Sequence, residues 1–146
     1  MRIKEKIIIA SDHAGYDLKK KIINHDFEDN VYLEDLGTFT DASVDYPDYA
    51  HNLGRKINLN YCKRGVLICG TGIGMSIVAN RYENVRAALC LDEKMSKLAR
   101  EHNNANIIVL GSRLISFEQT IKCLNSFFFT DFEKGRHELR IRKFNK

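Results

Sequence analysis

Five short apolar runs, most of them rich in β-branched residues, recur along the chain at 6–10, 31–37, 66–68, 85–91 and 106–110. Between them the apolar residues fall at helical spacing. Uninterrupted runs of this length read as strands covered on both faces, and strands that alternate with helices pair in parallel because each crossover brings the chain back to the same edge. The sequence therefore predicts an α/β fold: a single-domain three-layer α/β/α sandwich on a five-stranded parallel, Rossmann-like sheet, with a basic C-terminal helix extension over 131–146.

The helical faces support this alternation. Leu18, Ile22, Ile23 and Phe27 share one side of the first helix, and Tyr49, Ala50, Leu53 and Ile57 continue a second that Pro47 and Asp48 start. Asp92 caps another, the fourth along the chain, that carries Met95, Leu98 and Ala99 and closes at 100–104. The stretch 117–132, through Ile121, Leu124, Phe127 and Phe128, is aromatic enough to predict burial against a partner subunit as well as the core. At 146 residues the chain can bury a core without staples, and its four cysteines form no C-x-x-C pair, which fits a reduced, cytoplasmic protein. Met1–Lys4 leads straight into a strand with no signal-peptide pattern, and no apolar run reaches membrane-spanning length. The net charge of +4 concentrates its basic residues in the tail, which calls for neither nucleic acid nor membrane.

Chemistry gathers where strands end. Three alternate glycines, Gly70, Gly72 and Gly74, follow the third run directly, with a helix expected over 76–80. Backbone N–H groups left unpaired at such a turn, together with the positive end of a helix dipole, make an anion site. The spacing fits neither a dinucleotide fingerprint nor a phosphate-loop NTPase. Cys69 at the strand's end and Thr71 inside the turn add a thiol and a hydroxyl that a bare phosphate cradle does not need; a buried cysteine that merely packs is the other reading. Asp12 and His13 end the first strand, on the edge where ligands bind in open α/β sheets, although an Asp before a helix also reads as an ordinary cap. Tyr46 precedes the second helix, either leaning over a pocket or packing beside Pro47. His102 and Asn103 close the fourth helix, where a histidine also serves as a cation near the negative dipole end. Arg136 and Arg140, four apart on one helical face, can grip a phosphate or simply solvate a terminal helix.

The motifs 11–15, 45–47, 68–74, 101–103, 111–113 and 135–137, in this order over nearly the whole chain, resemble those of the type B ribose-5-phosphate isomerases, a family shared with galactose-6-phosphate isomerases. Glu101-His102-Asn103 and Gly135-Arg136-His137 resemble the pentose branch. The resemblance implies interconversion of ribose 5-phosphate and ribulose 5-phosphate through a cis-enediolate, with no metal and no cofactor. It implies Cys69 as the base at C2; in some relatives a glutamate just after the third glycine takes that role, but here the position is Met75. The N–H groups of Gly70, Thr71, Gly72, Ile73 and Gly74 would meet the charge on the sugar oxygen, with Thr71 hydrogen-bonding the same region. His102 would open the furanose ring and Asp12 would move protons between O1 and O2. His13, Arg113, Arg136 and Arg140 would hold the phosphate, Asn103 a sugar hydroxyl, and Tyr46 would line the pocket. It further implies a homodimer with active sites shared between subunits, or a dimer of dimers. The rival expectations are a hexose-6-phosphate isomerase acting on allose or galactose 6-phosphate, and a non-catalytic sugar-phosphate sensor on the same fold.

Overall fold

The structure is a computed structural model that describes residues 5–27 and 31–146; the expectation for Met1–Lys4 lies outside the described residues. Its elements run β1 (Glu5–Ser11), α1 (Tyr16–Ile23), β2 (Val31–Asp35), α2 (Tyr46–Asn58), β3 (Arg64–Cys69), α3 (Ile73–Ala79), β4 (Ala87–Leu89), α4 (Glu93–Asn103), β5 (Ile107–Gly111), α5 (Phe117–Phe129) and α6 (Arg136–Ile141). The strands form one sheet in the order β2-β1-β3-β5-β4, parallel at every pairing.

Side chains alternate across the sheet and build a core on each face, as strands covered on both sides require. Ile7, Ile9, Val66, Ile68, Ile108 and Leu110 face α1, α4 and α5, packing with Ile22, Ala99, Leu124 and Phe127. Ile8, Ala10, Leu67, Cys69, Ile107 and Val109 face α2 and α3, packing with Leu53, Ile57, Met75 and Ala79. Cys69 thus points to the side on which α3 begins.

Four expectations change. The third helix starts at Ile73, not Ser76, so Gly74 and Met75 are helical. The fourth strand shortens to Ala87–Leu89 because the Asn106 side chain accepts from the Arg86 N–H (2.8 Å) and Asn80 from the Ala87 N–H (2.8 Å), taking backbone donors at the edge. The tail is helical only over Arg136–Ile141. Phe127 and Phe128 are buried in the chain's own core, so the aromatic helix needs no partner to cover those rings.

Two buried thiols make stability pH-dependent. Burial pushes Cys90 from 9.0 up to about 12 and Cys123 up to about 11, whereas in the unfolded chain both ionise near 9.0. A folded pKa above the unfolded one gives stability that is complete below pH 9.0 and is lost as pH rises towards 11–12. Each thiol contributes a slope of up to about 1.4 kcal/mol per pH unit in that window. Denaturant midpoints followed by circular dichroism should fall above pH 9, and the double variant Cys90→Ala/Cys123→Ala should flatten the fall whatever its stability at pH 7.

Candidate active site

β1 and β3 are neighbours whose following helices leave towards opposite faces of the sheet, so a crevice opens beyond their carboxyl ends. Backbone bonds tie the loops there: the Asp12 N–H donates to Ile68 O (3.2 Å), the Ser112 N–H to Cys69 O (2.8 Å) and the Arg113 N–H to Gly70 O (3.0 Å). The Ser112 hydroxyl donates to Ala14 O (2.8 Å), closing the ring of loops after β1, β3 and β5. The resulting cavity, about 550 Å³, brings together Asp12, His13, Tyr46, Cys69, Gly70, Thr71, Ile73, Gly74 and Arg113. That volume lies within the roughly 300–1,000 Å³ range of small-molecule sites.

Cys69 sits on its wall with only 5% of its surface exposed. The Gly72 N–H donates to Sγ at 3.1 Å. Gly72 holds φ at +80°, a conformation that favours glycine, and this turn aims the N–H back at the strand end. The Thr71 hydroxyl accepts from the Ile73 N–H (3.3 Å). Gly70 and Gly74 serve close approach: a Cβ on Gly70 would overlap the Arg113 guanidinium, and one on Gly74 the Tyr46 ring. Tyr46 therefore both packs and lines the pocket. Met75 is buried in the core, away from the cavity wall.

Asp12 closes the turn that leads into α1 while lining the cavity. Its Oδ1 accepts from the Gly15 N–H (3.0 Å), while α1 begins after Gly15 without any side-chain cap. His13 accepts the Val44 N–H at Nδ1 (3.1 Å), which leaves the proton of its neutral form on Nε2 as a donor for the cavity. Lys19, overlooked in the amphipathic pattern of α1, is fully buried; it pairs with Asp35 (2.6 Å) and donates to Thr38 O (2.5 Å), anchoring the loop after β2.

His102, Asn103, Arg136 and Arg140 are not part of this wall. α4 ends just before β5, whose Ile107 pairs with Gly65, whereas Cys69 pairs with Gly111 at the other end of the strands. His102 and Asn103 thus lie at the amino edge, about 15–20 Å away along the strand direction. The tail is held at the same edge: the Glu133 N–H donates to Glu101 O (3.0 Å) and the Asn145 amide to Glu83 O (2.7 Å). There His137 stacks on His102, with centroids 4.3 Å apart and planes at 13°, and its Nε2 lies 3.4 Å from a Glu133 carboxylate oxygen. Among the described residues this trio has metal-ligand composition, with candidate ligand atoms within 4.8 Å, but stacked rings hold their in-plane lone pairs in parallel planes rather than converging on one ion. The involvement of His137 and Glu133 was missed at the sequence level; the only local sign was the adjacency of His137 to Arg136.

A sequence profile described as Ribose/Galactose Isomerase matches residues 7–144. The chain belongs to that family. Among its members, ribose-5-phosphate isomerase B of Escherichia coli is 35% identical over 137 residues, which span 94% of this chain and 92% of that one. A ribose 5-phosphate isomerase structure from Thermotoga maritima superposes with a TM-score of 0.91 at 52% identity, covering 95% of this chain and 96% of the other. A family structure from Mycoplasma genitalium, ribose-5-phosphate isomerase B with bound ribulose-5-phosphate, gives 0.90 at 42% identity over 97% and 95%. The five-stranded parallel sandwich is the fold of this isomerase family.

Proposed function

We infer that this chain is an aldose–ketose isomerase that interconverts ribose 5-phosphate and ribulose 5-phosphate, and that two copies build each complete active site. One observation carries the reading: a sulfur on the wall of a sugar-sized cavity, receiving an N–H, beside a fan of main-chain donors. The names of the relatives support the substrate.

In the forward direction the Cys69 thiolate takes the proton from C2 of the open-chain aldose. The C–H electron pair becomes the C1–C2 double bond, and the carbonyl pair moves to O1. The N–H groups of Gly70, Thr71 and Gly74, which unlike those of Gly72 and Ile73 are not taken by Cys69 or Thr71 side chains, meet that charge; removing one such preorganised donor typically costs about 3 kcal/mol in a transition state. Asp12 carries the proton from O2 to O1, and the thiol returns its proton to C1. His13 and Arg113 hold the phosphate from the chain that owns the cleft. His102 opens the ring, Asn103 binds a hydroxyl, and Arg136 and Arg140 complete the phosphate grip; all four come from the amino edge of a second copy. Two features support the dimer: that group's distance from Cys69 within one chain, and the exposed apolar Ile73 and Ile77 (53% and 52%) on α3 beside the cleft. A dimer of dimers repeats the same shared sites.

The four cysteines are all unpaired, which fits a reducing, cytoplasmic setting. Among the described residues no helix is long and apolar enough to cross a membrane. Incubating the protein with ribose 5-phosphate should yield ketose in the presence of a chelator. Conversion of allose 6-phosphate at a higher kcat/KM than the pentose would assign a hexose substrate; binding of either sugar without turnover would leave a sensor.

A further inference from the structure

The amino edge of the sheet carries a second polar cavity, about 250 Å³, that the isomerase reading does not use. Its wall gathers Lys63 and Arg64 at the start of β3, Arg86 just before β4, Arg100 from α4, and Asn104 and Asn106 before β5. Among the described residues no acidic side chain lines it. Among the described residues Lys63, Arg86 and Arg100 have no carboxylate within ion-pairing distance, and Arg64 has only Glu5, at 3.8 Å.

Part of this cluster is structural. Arg100, 6% exposed, donates from Nε to Thr130 O (3.1 Å) and from Nη1 to Ala105 O (2.6 Å) and Asn104 Oδ1 (3.0 Å). Arg86 donates from Nε to Asn104 O (2.9 Å), and Arg64 donates from Nη1 to Phe128 O. Neutral carbonyls orient these groups but do not cancel their charge. Burial, followed by repulsion from Arg64 and Arg86 and against the smaller attraction of Asp131 and Glu5, pulls Arg100 down to about 10. Burial likewise lowers Arg86. Three guanidinium groups and an ammonium thus face one small cavity, and among the described residues Glu5, beside Arg64, is the one carboxylate paired with any of them. Both terminal nitrogens of Arg86 and Nη2 of Arg100 are free of protein partners among the described residues.

We propose that this cavity is a second anion site, which takes a phosphate group at the opposite edge of the sheet from Cys69. Guanidinium forks pair their parallel N–H donors with two oxygens of one phosphate, and Lys63 adds a point charge at the exposed rim. Within one chain β3 separates the two sites by about 20 Å. The phosphate is either free orthophosphate or that of a phosphorylated metabolite.

The test follows the arginine Nε–H resonances of the isotope-labelled protein during titration with sodium phosphate, against sodium chloride at equal ionic strength. Arg86 and Arg100 should shift saturably with phosphate and not with chloride, while Arg113 reports the catalytic cleft separately. Lys63→Glu, a change at an exposed position that brings a carboxylate to the rim, should weaken the Arg86 and Arg100 response about tenfold or more and leave turnover unchanged. Saturation at lower concentration with glycerol phosphate identifies a phosphorylated metabolite as the occupant, and the reverse order identifies orthophosphate. Shifts that match the chloride control, or that persist unaltered in Lys63→Glu, overturn the proposal.

Discussion

Cys69→Ala should lose about 10²- to 10⁴-fold in kcat with KM nearly unchanged, the range expected when a positioned proton-transfer group is removed. The two parameters separate because the thiol and the binding groups are different atoms. The proposed phosphate contacts from His13 and Arg113, which line the same cavity, and the main-chain donors of the glycine turn survive the substitution, so the ground-state complex should form as before. What disappears is the only cavity-lining side chain that combines a nucleophilic sulfur with an N–H pointed at it. Cys69 also belongs to the buried cluster beneath α2 and α3, so the variant's thermal midpoint must be measured alongside. Exchange of the C2 hydrogen of ribose 5-phosphate with deuterated solvent gives the more direct readout: it should stop in Cys69→Ala at saturating substrate. A variant that still exchanges at a tenth or more of the native rate would move the base to another group in the wall, such as the Asp12 carboxylate, and remove the central step of the mechanism.

The carboxyl-edge half of the site is legible in the sequence because its residues directly follow recognisable strands. Ile7–Ile9 and Val66–Ile68 are runs that only a doubly covered strand explains, and whatever comes next must lie at the binding edge. The start of α3 was less legible: Gly72 at positive φ caps it, and glycines carry no periodicity from which to read a helix. β4 is shorter than its apolar pattern because side chains distant in sequence, Asn80 and Asn106, intercept its backbone donors. Lys19 reads as a solvent-facing residue of an amphipathic helix, and only the meeting of α1 with the loop after β2 buries it against Asp35. The amino-edge groupings are tertiary in the same way. The His102 stack on His137 and the convergence of Arg64, Arg86 and Arg100 depend on where the tail and three separate strand starts come together, which no local spacing encodes.

Subunits that are individually inactive should restore activity to each other. If every site joins the Cys69 cleft of one chain to the His102 and Arg136 group of another, then Cys69→Ala homodimers have two sites without a base, and Arg136→Ala homodimers have two sites whose phosphate grip is too weak to fill at a substrate concentration held well below their raised KM. In a mixed dimer one site combines both lesions, while the other joins a native Cys69 to a native Arg136. Random exchange of equal amounts makes half the dimers mixed, so about one quarter of all sites should regain native chemistry, against near-zero activity for either parent. The substituted positions favour a clean experiment. Arg136 is exposed in the single chain and opens a six-residue helix, so its truncation touches no core packing, and Cys69→Ala removes one small side chain. Exchange is verified by mass spectrometry of differently tagged chains, and the recovered activity should show the native KM, because the rebuilt site is native at both edges. Full exchange without recovery would return the four amino-edge residues to a structural or solvent-facing role. With roughly 15–20 Å between the two edges of a single chain, neither His102 nor Arg136 can reach a sugar beside Cys69 without a second copy, so the exchange experiment decides between a shared site and no catalytic role for them.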